Sequence, residues 1–269
     1  MAKLLAIRLS ALGDVVLCTP LLRWWKQQVP EAQVRLITGP AQAKLLQHDP
    51  NIDEIWVFQK EQLGQLRNQI QNYAPDLIAD FQKNTKSQNL YSGLPFLSRK
   101  LHKQNLKKWR MVHGPKPNSP CRHVVQRMAD VFSGFPVQDD GKGVGLYLPP
   151  SPPSWAPELP KNYLAIALGS AHATKAISIE LAQDLVKTNP DQTIVLLGGA
   201  AEQSKGEQVK GTAPQRVLNF CGRSNLLETA WLVKHAGHII SGDTAVMHMA
   251  AAFGKTMDVV WSSTIPEFG

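Results

Sequence analysis

A chain of 269 residues, 43% of them hydrophobic, is long enough for two ordinary domains with proper cores, which excludes a disordered or low-complexity polypeptide. Its net charge of +8 points to an anionic partner without choosing among phosphorylated glycan, membrane surface and nucleic acid. Cys18, Cys121 and Cys221 lie far apart, without the spacing of a disulfide framework or a metal knuckle, so a reduced, cytoplasmic setting is expected. The apolar run before Arg8 is too short for a signal peptide, and no stretch approaches the roughly 18 apolar residues of a membrane span; a soluble or at most peripheral protein is expected.

Leu4 to Leu9 reads as a buried first strand, Ser10 to Asp14 as a loop, and Val15 to Gln28 as a helix with Pro20 in its first turns. Strands over Val34–Thr38 and Ile52–Phe58 enclose a short helix over Ala41–Gln47. A helix over Gln62–Asn72 is broken at Ala74-Pro75 before a strand over Asp76–Phe81. This β-α alternation predicts a parallel sheet wound with helices on both faces, with ligands at the carboxyl ends of its strands, where Asp14 and Gln82 fall.

Between Phe81 and Ala129 there is no acidic residue, while eleven basic ones run from Lys83 and Lys86 to Arg127. Either a solvated basic face or a site for an acidic acceptor accounts for this; with few aromatics and no binding module, a nucleic-acid surface has little support. A helix resumes over His123–Phe132, and Val144–Leu148 is expected as a strand closing the first domain. The proline-rich stretch from Pro149 to Pro157 cannot be regular structure and divides the chain into domains 1–150 and 151–269.

The second domain repeats the alternation. Strands are expected over Tyr163–Leu168, Thr193–Leu197, Val217–Phe220 and His238–Ser241, and helices over Ile179–Thr188, Glu202–Lys210 and Leu226–His235. The run Ser241-Gly242-Asp243-Thr244 then opens a small, apolar helix of about three turns, ended by Gly254-Lys255 and expected to be buried against the sheet. Its N-terminus is either a plain helix cap or an anion site, with the Thr244 hydroxyl and His248 one turn on able to add donors. Val259–Trp261 is a last strand. No closing helix follows it, so a shortened C-terminal half is expected.

Gly169 to Lys175 ends a strand and carries a lysine, yet it is no P-loop: Thr174 precedes Lys175 and Ala176 follows it, so the metal-holding hydroxyl is missing. No G-x-G-x-x-G follows the first strand, which counts against a dinucleotide oxidoreductase, and no Asp-x-Asp pair is spaced to clamp a metal on a sugar diphosphate. A bound diphosphate would be neutralised by Lys175, Thr244, His248 and helix N–H groups.

Four segments in register resemble glycosyltransferase family 9, the lipopolysaccharide heptosyltransferases. They are Ile7 to Leu17 with Thr19-Pro20, the Gly169–Lys175 loop, Leu196-Leu197-Gly198-Gly199 with Glu202, and Ser241 to Thr244 with His248 to Lys255. The resemblance implies an α/β fold of GT-B type, two Rossmann-like doubly wound parallel-sheet domains facing across a cleft. It implies an acceptor on the N-terminal half, an ADP-heptose-type donor on the C-terminal half, and inverting transfer with no metal and no cofactor. By position, Asp14 matches the general base, its alternative being an N-cap for the following helix. Thr174 and Lys175 match donor-phosphate contacts, Glu202 the nucleoside ribose, and Asp243, Thr244 and His248 the donor diphosphate and sugar. Ser10, Lys83, Lys86 and Arg127 would meet an anionic lipid-linked glycan acceptor at the inner face of the cytoplasmic membrane. Ala245 departs from the family's usual glycine. A nucleotide-sugar-binding protein without turnover is the alternative.

Overall fold

The computed structural model describes residues 2–114, 121–170 and 173–261. The chain divides into two compact units, with the boundary between Tyr147 and Leu148 at the head of the proline-rich stretch.

The first unit contains β1 (Lys3–Ile7), α1 (Leu12–Val16), α2 (Thr19–Gln28), β2 (Gln33–Thr38), α3 (Pro40–Leu46), β3 (Glu54–Val57), α4 (Leu63–Tyr73), β4 (Leu77–Asp80), α5 (Thr85–Tyr91), β5 (Ser98–Lys100), α6 (Asn105–His113) and α7 (Val124–Ala129). Its five strands form a parallel sheet in the order β3-β2-β1-β4-β5. Leu4 to Ile7 are wholly buried on both sides of the pleat, as expected of a strand covered on both faces. One face packs Leu5, Ile7, Ile37 and Ile78 against Leu66, Ile70 and Leu90.

The second unit contains β6 (Leu164–Ala167), α8 (Ile179–Thr188), β7 (Ile194–Leu197), α9 (Gln203–Lys210), β8 (Val217–Asn219), α10 (Leu226–His235), β9 (His238–Gly242), α11 (Ala245–Ala252) and β10 (Met257–Val260). Its sheet is also parallel, in the order β10-β9-β6-β7-β8. Local chemistry sets the helix starts: the Ser178 hydroxyl accepts from Leu181 N–H at 3.1 Å, and Asn225 caps α10 with Glu228 answering back. In each sheet the first strand is central and the chain reverses beside it, between β1 and β4 and again between β6 and β9. Such a switch point is where loops at the strand ends separate and leave room for a ligand.

Four expectations need correction, and the basic span, for which no elements were expected, holds three. The helix expected over Val15–Gln28 is two helices, because the Pro20 ring at the start of α2 would collide with the carbonyl of residue 16 in a continuous helix; Thr19 Oγ1 donates to that carbonyl at 2.8 Å. No strand covers Val144–Leu148: Gly141 and Gly143 have positive φ of 69° and 65°, and Gly145 N–H donates to Thr19 Oγ1 at 2.9 Å rather than to a ladder. The basic span holds α5, β5 and α6, which its charge had hidden. The proline-rich stretch ends in a short 3-10 turn over Ala156–Glu158. Helix α11 spans eight residues, about two turns, and only Met249 and Ala250 are buried within it, since it meets α10, β9 and the edge strand β10 with one side. Its end is as expected, with Gly254 at φ +62° just past the last turn.

All three cysteines are unpaired and buried, and burial pushes the Cys18 and Cys221 thiols up to about 12. Among the described residues no helix is long and apolar enough to cross a membrane.

Candidate active site

In the first unit the candidate residues gather where β1 and β4 end. Asp14 does not lie on the strand end itself; it occupies the first turn of α1. Its Oδ2 accepts from Ala11 N–H at 3.2 Å and pairs with the Arg8 guanidinium. The N-cap of α1 is Ala11 and not Asp14, which answers it from the third helical position through one oxygen while its side chain stays 38% exposed.

Arg8 is 7% exposed. Nη1 donates to the carbonyl of Phe81, the first residue after β4, so Arg8 spans the switch point as well as holding Asp14. Its Nε is buried without a partner among the described residues. Gln82 makes a second crossing: its Oε1 accepts from Leu9 N–H at 3.1 Å and Ser10 N–H at 3.2 Å, and its Nε2 donates to Ser10 Oγ at 3.3 Å. The Leu9–Asp14 stretch is therefore tied to the segment after β4 by two buried polar side chains, Arg8 from the end of β1 and Gln82 from the end of β4. Sequence reading placed Gln82 at a strand end and passed over Arg8; an arginine closing an otherwise apolar buried strand was the available signal.

Beside Ser10 a cavity of about 490 Å³ is lined by Leu9, Gly39, Pro40, Gln42, Phe58 and residues 84–86, from the loops that follow β1 to β4. Gly39 is required there, since a Cβ would lie 2.9 Å from the Leu9 carbonyl oxygen. Lys86 is exposed at its rim in the first turn of α5. Lys83, half-buried at φ +47°, donates its N–H to Asp80 Oδ1 at 2.8 Å. Arg127 is turned inward, 4% exposed, and donates to the carbonyls of Arg122 at 2.9 Å and Lys103 at 3.1 Å. Burial, with Arg8 as the next cause, holds Lys103 below the ordinary lysine value; burial and then Arg127 do the same to Lys108. Asp14, with Arg8 beside it, is among the charges that act on both lysines.

In the second unit the candidate residues sit on the loops that follow β6, β7 and β9, at one end of the parallel sheet. Thr174 and Lys175 lie on a 3-10 turn over Ala173–Lys175; Ala171 and His172 of that loop lie outside the described residues. Lys175 Nζ donates to Asp243, tying this turn to the end of β9, and both side chains are 20% exposed. Gly242 makes the approach possible, since a Cβ there would lie 2.1 Å from the Lys175 carbonyl oxygen. Thr244 is the N-cap of α11, its Oγ1 accepting from Val246 N–H at 3.3 Å and bonded to Ser241 Oγ at 3.0 Å. His248, one turn on, is half-buried. Ala245 takes the first helical position, where alanine is favoured. Glu202 Oε2 accepts from Gly199 N–H at 2.8 Å, and the carboxylate lies so near Gly169 that a Cβ there would be 2.9 Å from Oε2. The ends of β6 and β7 are bare glycine where Glu202 crosses them.

Comparison with known proteins gives these two sheets a family. Residues 64–268 match Glycosyltransferase family 9 (heptosyltransferase). A stretch of 79 residues is 27% identical to lipooligosaccharide heptosyltransferase 2 of Haemophilus influenzae, covering 28% of this chain and 23% of that protein, so under a quarter of that relative's length is spanned. The fold is similar to that of a glycosyl transferase family 9 protein of Veillonella parvula (TM-score 0.79, 18% identity, 100% of this chain and 84% of the other). It is equally similar to that of the E. coli ADP-heptose LPS heptosyltransferase II (TM-score 0.79, 18% identity, 99% and 86%). It is also similar to that of the E. coli heptosyltransferase WaaC with ADP-2-deoxy-2-fluoro heptose (TM-score 0.75, 18% identity, 98% and 90%). The expected α/β architecture of GT-B type, two parallel Rossmann-like sheets, is the one observed, and the chain belongs to glycosyltransferase family 9, the heptosyltransferase family.

Proposed function

We propose that this protein is an inverting, metal-independent glycosyltransferase that moves a heptose-type sugar from an ADP donor to a hydroxyl of an anionic lipid-linked glycan of the lipopolysaccharide core. The observation that carries the reading, together with family membership, is that both sheets present their candidate residues at the same place, the loops beside the switch point. In the second unit Lys175, Thr174 and the start of α11 with Thr244 and His248 take the diphosphate, Asp243 the sugar and Glu202 the ribose. In the first unit Ser10, Lys83 and Lys86 favour an anionic acceptor, buried Arg127 adds its charge and not a contact, and the cavity beside Ser10 gives the acceptor's sugars room.

Asp14 takes the proton from the acceptor hydroxyl as that oxygen attacks the anomeric carbon. The bond from that carbon to the phosphate oxygen breaks, and ADP leaves with the bonding pair. Lys175 and the helix N–H groups offset the charge that develops on the departing phosphate, which is the work a metal does elsewhere. On this reading the protein acts from the cytoplasm at the inner membrane surface and takes no nucleic acid.

The test incubates the full chain with ADP-heptose and a heptose-deficient lipopolysaccharide, with and without EDTA. Release of ADP together with a gain of one heptose mass on the acceptor, unchanged by EDTA, is the expected result. ADP-heptose binding without ADP release would make the protein a nucleotide-sugar binder instead. Tight, salt-sensitive oligonucleotide binding would reassign the basic span.

A further inference from the structure

Asp14 is held asymmetrically. Two donors, the Arg8 guanidinium and Ala11 N–H, converge on Oδ2, and Oδ1 receives no hydrogen bond from any described residue. Arg8 has little freedom to be elsewhere: its backbone N–H donates to Ile37 O at 3.0 Å, its carbonyl accepts from Thr38 Oγ1, and its Nη1 is bound to Phe81 O. The guanidinium keeps this pose although its Nε is left buried without a partner. An arginine selected only as a strut would be expected to spend that donor; one whose Nη1 is fixed on the Phe81 carbonyl while Nη2 meets the Asp14 carboxylate sacrifices it to geometry.

We propose that Arg8 is the positioning residue of the base: by fixing Oδ2 from the β1–β4 switch point, it presents Oδ1 of Asp14 to the acceptor hydroxyl. The inference rests on the reading of Asp14 as the base. It assigns Arg8 no contact with substrate; it acts through the carboxylate, whose lone pair on Oδ1 receives the proton while Oδ2 stays bonded. Misplacement of a reacting group by about 1 Å costs on the order of 10²-fold in rate, which sets the expected effect.

The experiment measures kcat, and KM for ADP-heptose and heptose-deficient lipopolysaccharide, in Arg8→Met, Arg8→Lys, Asp14→Asn and the Arg8→Met/Asp14→Asn pair. ADP affinity and Tm of each full chain report folding. Arg8→Met is expected to lower kcat by about 10²-fold with donor KM unchanged, and methylguanidinium to restore part of it. On the Asp14→Asn background it is expected to cost nothing further, because there is no base left to position. Arg8→Lys, which keeps the charge and loses the fork, is expected to fall between, and it carries the test if Arg8→Met does not fold. Losses that multiply in the double variant, or wild-type kcat in Arg8→Met beside an inactive Asp14→Asn, would overturn the positioning role alone. Full activity in Asp14→Asn would overturn the base itself, and the positioning role with it.

Discussion

Lys175 and Asp243 form an ion pair that joins the turn after β6 to the end of β9, across the switch point of the second sheet. The pair places a cation where a diphosphate is expected and a carboxylate directly beside it. The two substitutions should therefore act in opposite directions. Lys175→Ala is expected to weaken ADP by about 10- to 100-fold, the worth of a charge-assisted hydrogen bond, whereas Asp243→Asn should leave ADP affinity equal or tighter because a competing anion is gone. Titration calorimetry of both variants decides; ADP binding that survives Lys175→Ala unchanged removes Lys175 from the phosphate site.

Asp14→Asn should keep ADP binding within about twofold and reduce transfer by about 10²- to 10⁴-fold, the usual range for loss of a general base. Asparagine retains an oxygen for Ala11 N–H and Arg8, so the loop should keep its shape. Comparison of ADP titration with single-turnover transfer separates the two effects.

Gly242 has no room for a methyl group, since a Cβ would fall 2.1 Å from Lys175 O. Gly242→Ala should lower stability by about 1–3 kcal/mol and displace the Lys175 turn, so that ADP affinity falls along with Tm. A variant with native Tm and native ADP affinity would show that the two backbones are further apart than described.

Gln82→Leu removes the acceptor of two backbone N–H groups and the donor to Ser10 Oγ. With both N–H groups left unpaired, a loss of about 2–4 kcal/mol is expected, read as a denaturation midpoint, with transfer falling more than ADP binding. Gln82→Glu, which keeps an acceptor, should recover part of the stability.

Asp140 anchors the extended run before the unit boundary. Arg23 donates to it at 2.7 and 2.8 Å and Trp24 Nε1 at 2.9 Å, and the Arg23 hydrogen bonds hold its carboxyl far below the usual carboxylate range. Because the folded value lies below the unfolded one, the stability from this pair is complete above about pH 4 and declines as pH falls toward the folded value. Asp140→Ala leaves Arg23 buried without its carboxylate and should cost about 3 kcal/mol near neutrality. Its Tm should then fall less steeply than wild type between about pH 4 and pH 2.

The alternation of strand and helix was legible in the sequence because each buried strand is a short, nearly uninterrupted apolar run, as in Leu4–Ile7 and Ile194–Leu197, and each break carries proline, glycine or a cap. The basic span was not legible as structure. In α5 and α6 lysines and polar residues outnumber the apolar ones, and Leu90 and Tyr91 are too few to show a period. The strand expected over Val144–Leu148 failed for the converse reason: its apolar residues are real, but Gly141 and Gly143 turn the backbone away from the sheet edge and side chains of α2 take its polar groups.

Residue types and their spacing determined two parallel α/β halves, the proline-rich division, and a family resemblance placed on Asp14, the Lys175 loop and the Ser241–Thr244 turn. Tertiary structure decided the pairings. That Arg8 meets Asp14, that Gln82 reaches back over 72 residues to Ser10, and that Lys175 finds Asp243 across 68 residues follows from which strands become neighbours. Local propensity is blind to that choice, because strand order is set by burying both faces of a whole sheet and not by any one segment.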